Sequence, residues 1–141
     1  GEINGTTIID DFAHHPTAVT TTLEGARRRY PEHQIWALFE PRSATSCRNF
    51  FQQDYAEAFD AADAVLLAPP GRDLPPDEAL NMSQLQQDIQ NRGVNTHVFE
   101  SIDALYEHTV AQAPPKTILL CMSNGSFGGI HQRLLQGLQS K

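Results

Sequence analysis

Thr6-Thr7-Ile8-Ile9-Asp10-Asp11-Phe12-Ala13-His14-His15-Pro16-Thr17 runs from a β-branched apolar segment into two carboxylates, two imidazoles and a proline. Thr6–Asp10 carries the branched side chains that suit a strand. Pro16 suits the first turn of a helix, where its missing N–H is no loss, and His15 falls beside the cap. A strand that reverses straight into a helix opens an α/β unit. It also leaves polar groups at the strand's carboxyl end, where open α/β sheets bind ligands. Upstream, Glu2-Ile3 and Asn4-Gly5 make the first arm and turn of a hairpin whose second arm is this strand.

The alternation continues down the chain. Val19, Leu23, Ala26 and Tyr30 share one helical face, and Arg27, Arg28 and Arg29 fall in the last turn, where cations complement the helix dipole. Ile35–Phe39 and Ala64–Ala68 are uninterrupted apolar strands, so both faces are expected to be covered, and Thr117–Cys121 is the last strong strand. Thr96–Phe99 is a weaker strand. Helices are predicted from about Ser46 to Phe59, from a capping box at Ser83 and Gln86 to a stop at Gly93, after Ser101, and from Ile130 onward. A proline-rich loop covers Pro69 to about Asp77. The predicted fold is therefore α/β: a Rossmann-like three-layer domain with a mostly parallel sheet plus an N-terminal antiparallel hairpin strand. In such a sheet Asp10–His15, Glu40–Ser43, Arg72-Asp73 and Ser123–Ser126 all follow strands and should gather on one edge.

The 141 residues fit one domain, and a hydrophobic content of 40% supports a real core. No apolar run approaches the roughly 20 residues that span a bilayer. A formal net charge of −7 argues against unspecific binding to nucleic acid or an anionic membrane. The two cysteines, Cys47 and Cys121, are expected to be reduced thiols in a cytoplasmic protein, each a small buried side chain. No CxxC or HExxH supports a zinc site, and no metal ligands are assigned. The chain opens on Gly1 and holds no GxxxxGK[ST] phosphate loop. Any ATP chemistry is then expected to draw its triphosphate cradle from elsewhere in a longer chain.

Several side chains are candidates for chemistry. Asp11 can accept from a ribose hydroxyl or help hold a metal, or can simply favour the helix start that follows. Asp10 should point away from Asp11 by strand alternation. Of the histidine pair, His14 is assigned to the pocket as a proton acceptor or donor, and His15 to structure. Arg42 and Arg72 can each grip a carboxylate bidentately, Arg42 being the better placed because Pro41 fixes the chain before it. Glu40 can meet a substrate ammonium or neutralise Arg42. Ser123, Asn124 and Gly125 open a glycine-rich turn whose amides and side chains suit a substrate carboxylate. His33, His97, His108 and His131 have no partners at informative spacing.

The DDxxHHPT run from Asp10, the Phe39-Glu40-Pro41-Arg42-Ser43-Ala44-Thr45 run and the Ser123–Gly129 loop together resemble the C-terminal domain of the muramyl (Mur) ligases. The second run is similar to an FEPRSxT pattern of the peptide-adding branch and differs from the QPHRxTR-like run of the alanine-adding branch. Phe12 stands where the alanine-adding branch has tyrosine.

The resemblance implies that residues 1–141 are one domain of a three-domain ligase, alongside an N-terminal UDP-binding domain and a central ATPase domain. It implies ATP-dependent joining of UDP-N-acetylmuramate to the murein tripeptide L-alanyl-γ-D-glutamyl-meso-diaminopimelate, in cell-wall recycling, with Mg2+ screening phosphoryl charge. No cofactor is expected to bind this domain tightly, and alone it is expected to be inactive. By position, Asp11 would contact the nucleotide, Phe12 and His14 would line the junction with the amine, and Arg42, Ser43, Ser123 and Asn124 would bind peptide. Two other readings stand beside it: an alanine-adding ligase domain, and a flavodoxin-like binding domain without enzymatic activity.

Overall fold

The apolar runs pair into one six-stranded sheet in a computed structural model that describes residues 1–3, 5–41, 51–70, 74–75, 77–123 and 125–139. The elements are β1 (Glu2–Ile3), β2 (Thr6–Asp11), α1 (Pro16–Arg29), β3 (Gln34–Phe39), α2 (Gln52–Ala58) and β4 (Ala64–Leu67). They continue with α3 (Met82–Asn91), β5 (Asn95–Val98), α4 (Ile102–Gln112), β6 (Thr117–Met122) and α5 (Ile130–Gln139). Strand order is β1-β2-β6-β3-β4-β5, with β1 antiparallel to β2 and all other pairs parallel. This is the mostly parallel sheet with an antiparallel N-terminal strand that the sequence predicts.

Alternate residues of the apolar strands enter opposite cores, which is why the runs have no polar gaps. Ile35, Ala37, Phe39, Val65, Leu67, Ile118 and Leu120 face Val19 and Leu23 of α1, Tyr55 of α2, and Leu85 and Ile89 of α3. Trp36, Leu38, Leu66, Leu119 and Cys121 face Leu105 of α4 and Ile130, Leu134 and Leu138 of α5. Three helices thus cover one face and two the other. Arg27 fastens α1 to the start of β4, with a 2.8 Å ion pair to Asp63 and a 2.9 Å bond to the Ala61 carbonyl. One of the three C-terminal arginines of α1 is therefore a tertiary bolt as well as a charge at the helix end.

One helix start differs from the sequence prediction. The cap of α3 is Asn81, whose side chain accepts from the Gln84 N–H at 2.9 Å. Ser83 lies inside the first turn and faces solvent, so its spacing to Gln86 mimics a capping box without forming one. The second helix is described from Gln52, and the predicted start near Ser46 lies outside the described residues. The stop at Gly93 holds: its φ of +95° is a left-handed conformation that glycine adopts freely, and its N–H donates to the Gln90 carbonyl. No described helix is long and apolar enough to cross a membrane.

The ends of the strands matter most for position. Asp11 lies opposite Met122, Met122 opposite Phe39, and Phe39 opposite Leu67, so β2, β6, β3 and β4 finish level. From β2 and β3 the chain leaves towards α1 and α2 on one face. From β6, between them, it leaves towards α5 on the other. Connections that diverge from neighbouring strands open a crevice at their carboxyl ends, the usual ligand position in doubly wound sheets.

Candidate functional site at the carboxyl ends of three strands

The turn after β2 is built from short-range hydrogen bonds. Asp11 Oδ1 accepts from the Ala13 N–H at 2.7 Å, the local bond that lets aspartate bend a chain. His14 Nδ1 lies 2.7 Å from the Phe12 carbonyl oxygen. A carbonyl only accepts, so Nδ1 carries a proton in this contact and Nε2 is the ring nitrogen outside it. The Tyr55 hydroxyl on α2 donates to the His14 carbonyl. His15 does what the sequence assigns to it. It caps α1 by accepting from the Thr17 N–H at 3.4 Å, and its ring meets Phe51 edge-on at 4.7 Å. Phe12, between these anchors, is 77% exposed and is the large apolar side chain left in solvent among the described residues.

Across the sheet the next two strands close the rim. Ser123 N–H donates to the Asp11 carbonyl at 3.1 Å, and Glu40 N–H donates to the Met122 carbonyl at 3.0 Å. The Ser123 hydroxyl donates to Glu40 Oε1 at 2.8 Å and accepts from the Gly125 N–H at 3.1 Å. Glu40 and Ser123 are both buried. Beyond Gly125 the chain takes positive φ at Phe127, Gly128 and Gly129 while burying the Phe127 ring. A phenylalanine in that region is strained, so the turn is held by its surroundings.

The structure thus brings Asp11, Phe12, His14, Ser123 and Gly125 to one rim. Arg42, Ser43, Arg72 and Asn124 lie outside the described residues. Asp10 is exposed and pairs with Cys121, whose side chain enters the α4–α5 core, so Asp10 sits on the opposite face from Asp11. Burial, with a smaller push from the Asp10 charge, raises the Cys121 thiol to about 12, which removes it as a nucleophile. Cys47 lies outside the described residues. No group of three His, Cys, Asp or Glu side chains suited to a metal stands among the described residues. An open acidic hollow of about 420 Å³, lined by His15, Pro16, Thr17, Thr20, Asp54 and Glu57, lies between α1 and α2.

Sequence reasoning missed two features. Tyr55 was visible as a core residue spaced four from Phe51 and Phe59, but the target of its hydroxyl was not. His97 and His108 were read as unpartnered. Their rings meet at a tilt with centres 5.1 Å apart, beside Phe99 and Trp36. Burial, and then the neighbouring His97, lowers the basicity of His108.

A doubly wound α/β domain with its polar turns gathered at a switch point is a ligand-binding class of fold. More narrowly, the chain belongs to the Mur ligase family: the model of the Mur ligase, glutamate ligase domain matches residues 1–125. It is 39% identical over 143 residues to the UDP-N-acetylmuramate–L-alanyl-γ-D-glutamyl-meso-2,6-diaminoheptandioate ligase of Haemophilus influenzae, covering 100% of this chain and 30% of that enzyme. The crystal structure of a murein peptide ligase from Psychrobacter arcticus superimposes with a TM-score of 0.80 at 35% identity, over 100% of this chain and 29% of that one. A separately crystallised domain from Haemophilus ducreyi, named for the same tripeptide ligase activity, matches with a TM-score of 0.75 at 33% identity, over 98% of this chain and 95% of that one. The chain therefore spans about 30% of the length of the curated relative.

Proposed function

We propose that residues 1–141 form the C-terminal, amine-presenting domain of a cytoplasmic ATP-dependent ligase that joins UDP-N-acetylmuramate to L-alanyl-γ-D-glutamyl-meso-diaminopimelate in cell-wall recycling. The observation that carries this reading is the end-to-end match, at 39% identity, to a ligase named for that tripeptide. The sequence of the Glu40-Pro41-Arg42-Ser43 run and of the Ser123–Gly129 loop favours the tripeptide over free L-alanine.

In this reading the N-terminal and central domains of the longer chain hold the UDP-sugar and the triphosphate. ATP, with Mg2+, supplies the phosphoryl group that activates the sugar's carboxylate. The present domain orients the incoming amine, and orientation of reactants lowers a barrier without new covalent chemistry. Asp11 has one carboxylate oxygen engaged with Ala13 N–H, and its other oxygen suits a ribose hydroxyl. Phe12 offers an apolar wall. His14 Nε2, unprotonated in the neutral ring, suits a proton leaving the attacking amine. Arg42, Ser43, Arg72 and the turn that Ser123 opens bind the carboxylates and amides of the peptide.

The test is phosphate release by the full-length enzyme supplied with ATP, Mg2+ and UDP-N-acetylmuramate. The tripeptide is expected to outcompete free L-alanine as the second substrate. Preference for alanine assigns the domain to the alanine-adding branch.

A further inference from the structure

Glu40 and Ser123 stand 83 positions apart, on neighbouring strand ends, and share a buried hydrogen bond. Ser123 is 4% exposed and Glu40 2%. We propose that these two side chains form a strut that sets the shape of the turn after β6, and that Ser123 acts on the peptide through this turn, as a positioning residue, without touching it.

A serine hydroxyl has one hydrogen to donate. Here that hydrogen goes to Glu40 Oε1, and the same oxygen receives the Gly125 N–H. The side chain therefore has its donor and an acceptor position committed inside the protein. Glu40 is itself fixed through its backbone: its N–H donates to the Met122 carbonyl. Taking a carboxylate out of water is costly unless donors meet it. A carboxylate kept at this depth, on the strand beside the turn, gives Ser123 a rigid point to pull against.

The strut also acts where the backbone most needs support. Phe127 has φ of +50°, and Gly128 and Gly129 follow at +59° and +68°. Left-handed geometry at a phenylalanine persists only when the surroundings impose it. The Phe127 ring, 2% exposed, pins the far end of the turn, and the Ser123–Glu40 bond pins the near end. Between them, Gly125 N–H is aimed inward at Ser123. The effect on peptide binding rests on the reading of this rim as the peptide site; the strut does not.

Two experiments separate those claims. On this 141-residue chain, amide hydrogen exchange followed by NMR is expected to quicken at Gly125 by about tenfold in Ser123→Ala, the net worth of one hydrogen bond. Ser123→Thr, which keeps the hydroxyl, is expected to restore slow exchange, and Leu120 in β6 to stay protected in both. Unchanged Gly125 exchange in Ser123→Ala overturns the strut. In the full-length enzyme, Ser123→Ala and Glu40→Ala are each expected to raise the tripeptide KM by about tenfold while the KM for ATP holds, with the double variant no worse than either. A raised tripeptide KM in Ser123→Ala but not in Glu40→Ala makes serine a direct contact and overturns the positioning role. Absence of tripeptide turnover in the unsubstituted enzyme overturns the functional reading, while the Gly125 result continues to support the strut.

Discussion

The hydroxyl of Tyr55 donates to the main-chain carbonyl of His14, 41 positions earlier, and so ties the turn after β2 to the helix that follows β3. The ring that reaches across is 1% exposed and packs against Phe39 at 5.3 Å. One core residue therefore holds α2 against the turn after β2.

Tyr55→Phe keeps the packing and removes that donor. It is expected to lower stability by about 1–2 kcal/mol, the cost of leaving a part-buried carbonyl without its partner. Urea denaturation checks this, with a lower midpoint and an unchanged slope.

Two helical glycines are expected to respond in opposite directions. A Cβ at Gly137 in α5 would press on Tyr106 and Val110 of α4, so Gly137→Ala is expected to destabilise by about 1–3 kcal/mol. Gly25 in α1 has nothing near its Cβ position, and Gly25→Ala is expected to stabilise by about 0.5–1 kcal/mol. Thermal melts of the two variants against the parent decide both.

Stability is expected to fall on mild acidification. His108 is less basic in the folded protein than in the unfolded chain, because it is packed among Trp36, Phe99 and His97. Below the usual histidine value the unfolded chain takes up a proton that the folded one resists. Stability is then full above that value and is lost as pH falls towards the folded one. Asp60, held below its usual value first by its hydrogen bonds to Arg92, adds a loss in the same direction at lower pH. Urea midpoints across pH 7.5 to 5 are the measurement, and His108→Gln is expected to flatten the slope.

Cys121 is expected to resist alkylation in the native chain at pH 8, since its thiol is buried and raised to about 12. Peptide mapping after iodoacetamide treatment, with and without denaturant, should find it modified only in the unfolded sample.

The strands were legible because both faces of the sheet are buried: a run such as Ile35-Trp36-Ala37-Leu38-Phe39 needs a core on each side, and has one. The clustering of polar turns at one edge followed from parallel topology alone. Helix starts were less legible, because capping is decided by backbone geometry. Asn81 and Ser83 are both good cap residues, and only the extended φ and ψ at Asn81 distinguish them. The bonds that shape the rim were not legible. Tyr55 to His14 and Ser123 to Glu40 join distant segments, and nothing local in either partner announces the other.

The 141-residue chain alone is expected neither to hydrolyse ATP nor to form an amide, since it carries no phosphate loop. Robust Mg2+-dependent ATP turnover by the purified chain contradicts the division of labour proposed above.

Initial-rate kinetics of the full-length enzyme with Arg42→Ala put the peptide-clamping rim to its sharpest test. The KM for the tripeptide is expected to rise about tenfold to a hundredfold, as befits loss of a charged hydrogen-bonding partner, while the KM for ATP changes little. An equal rise in both constants, or none in the tripeptide's, would contradict a rim that grips the incoming peptide.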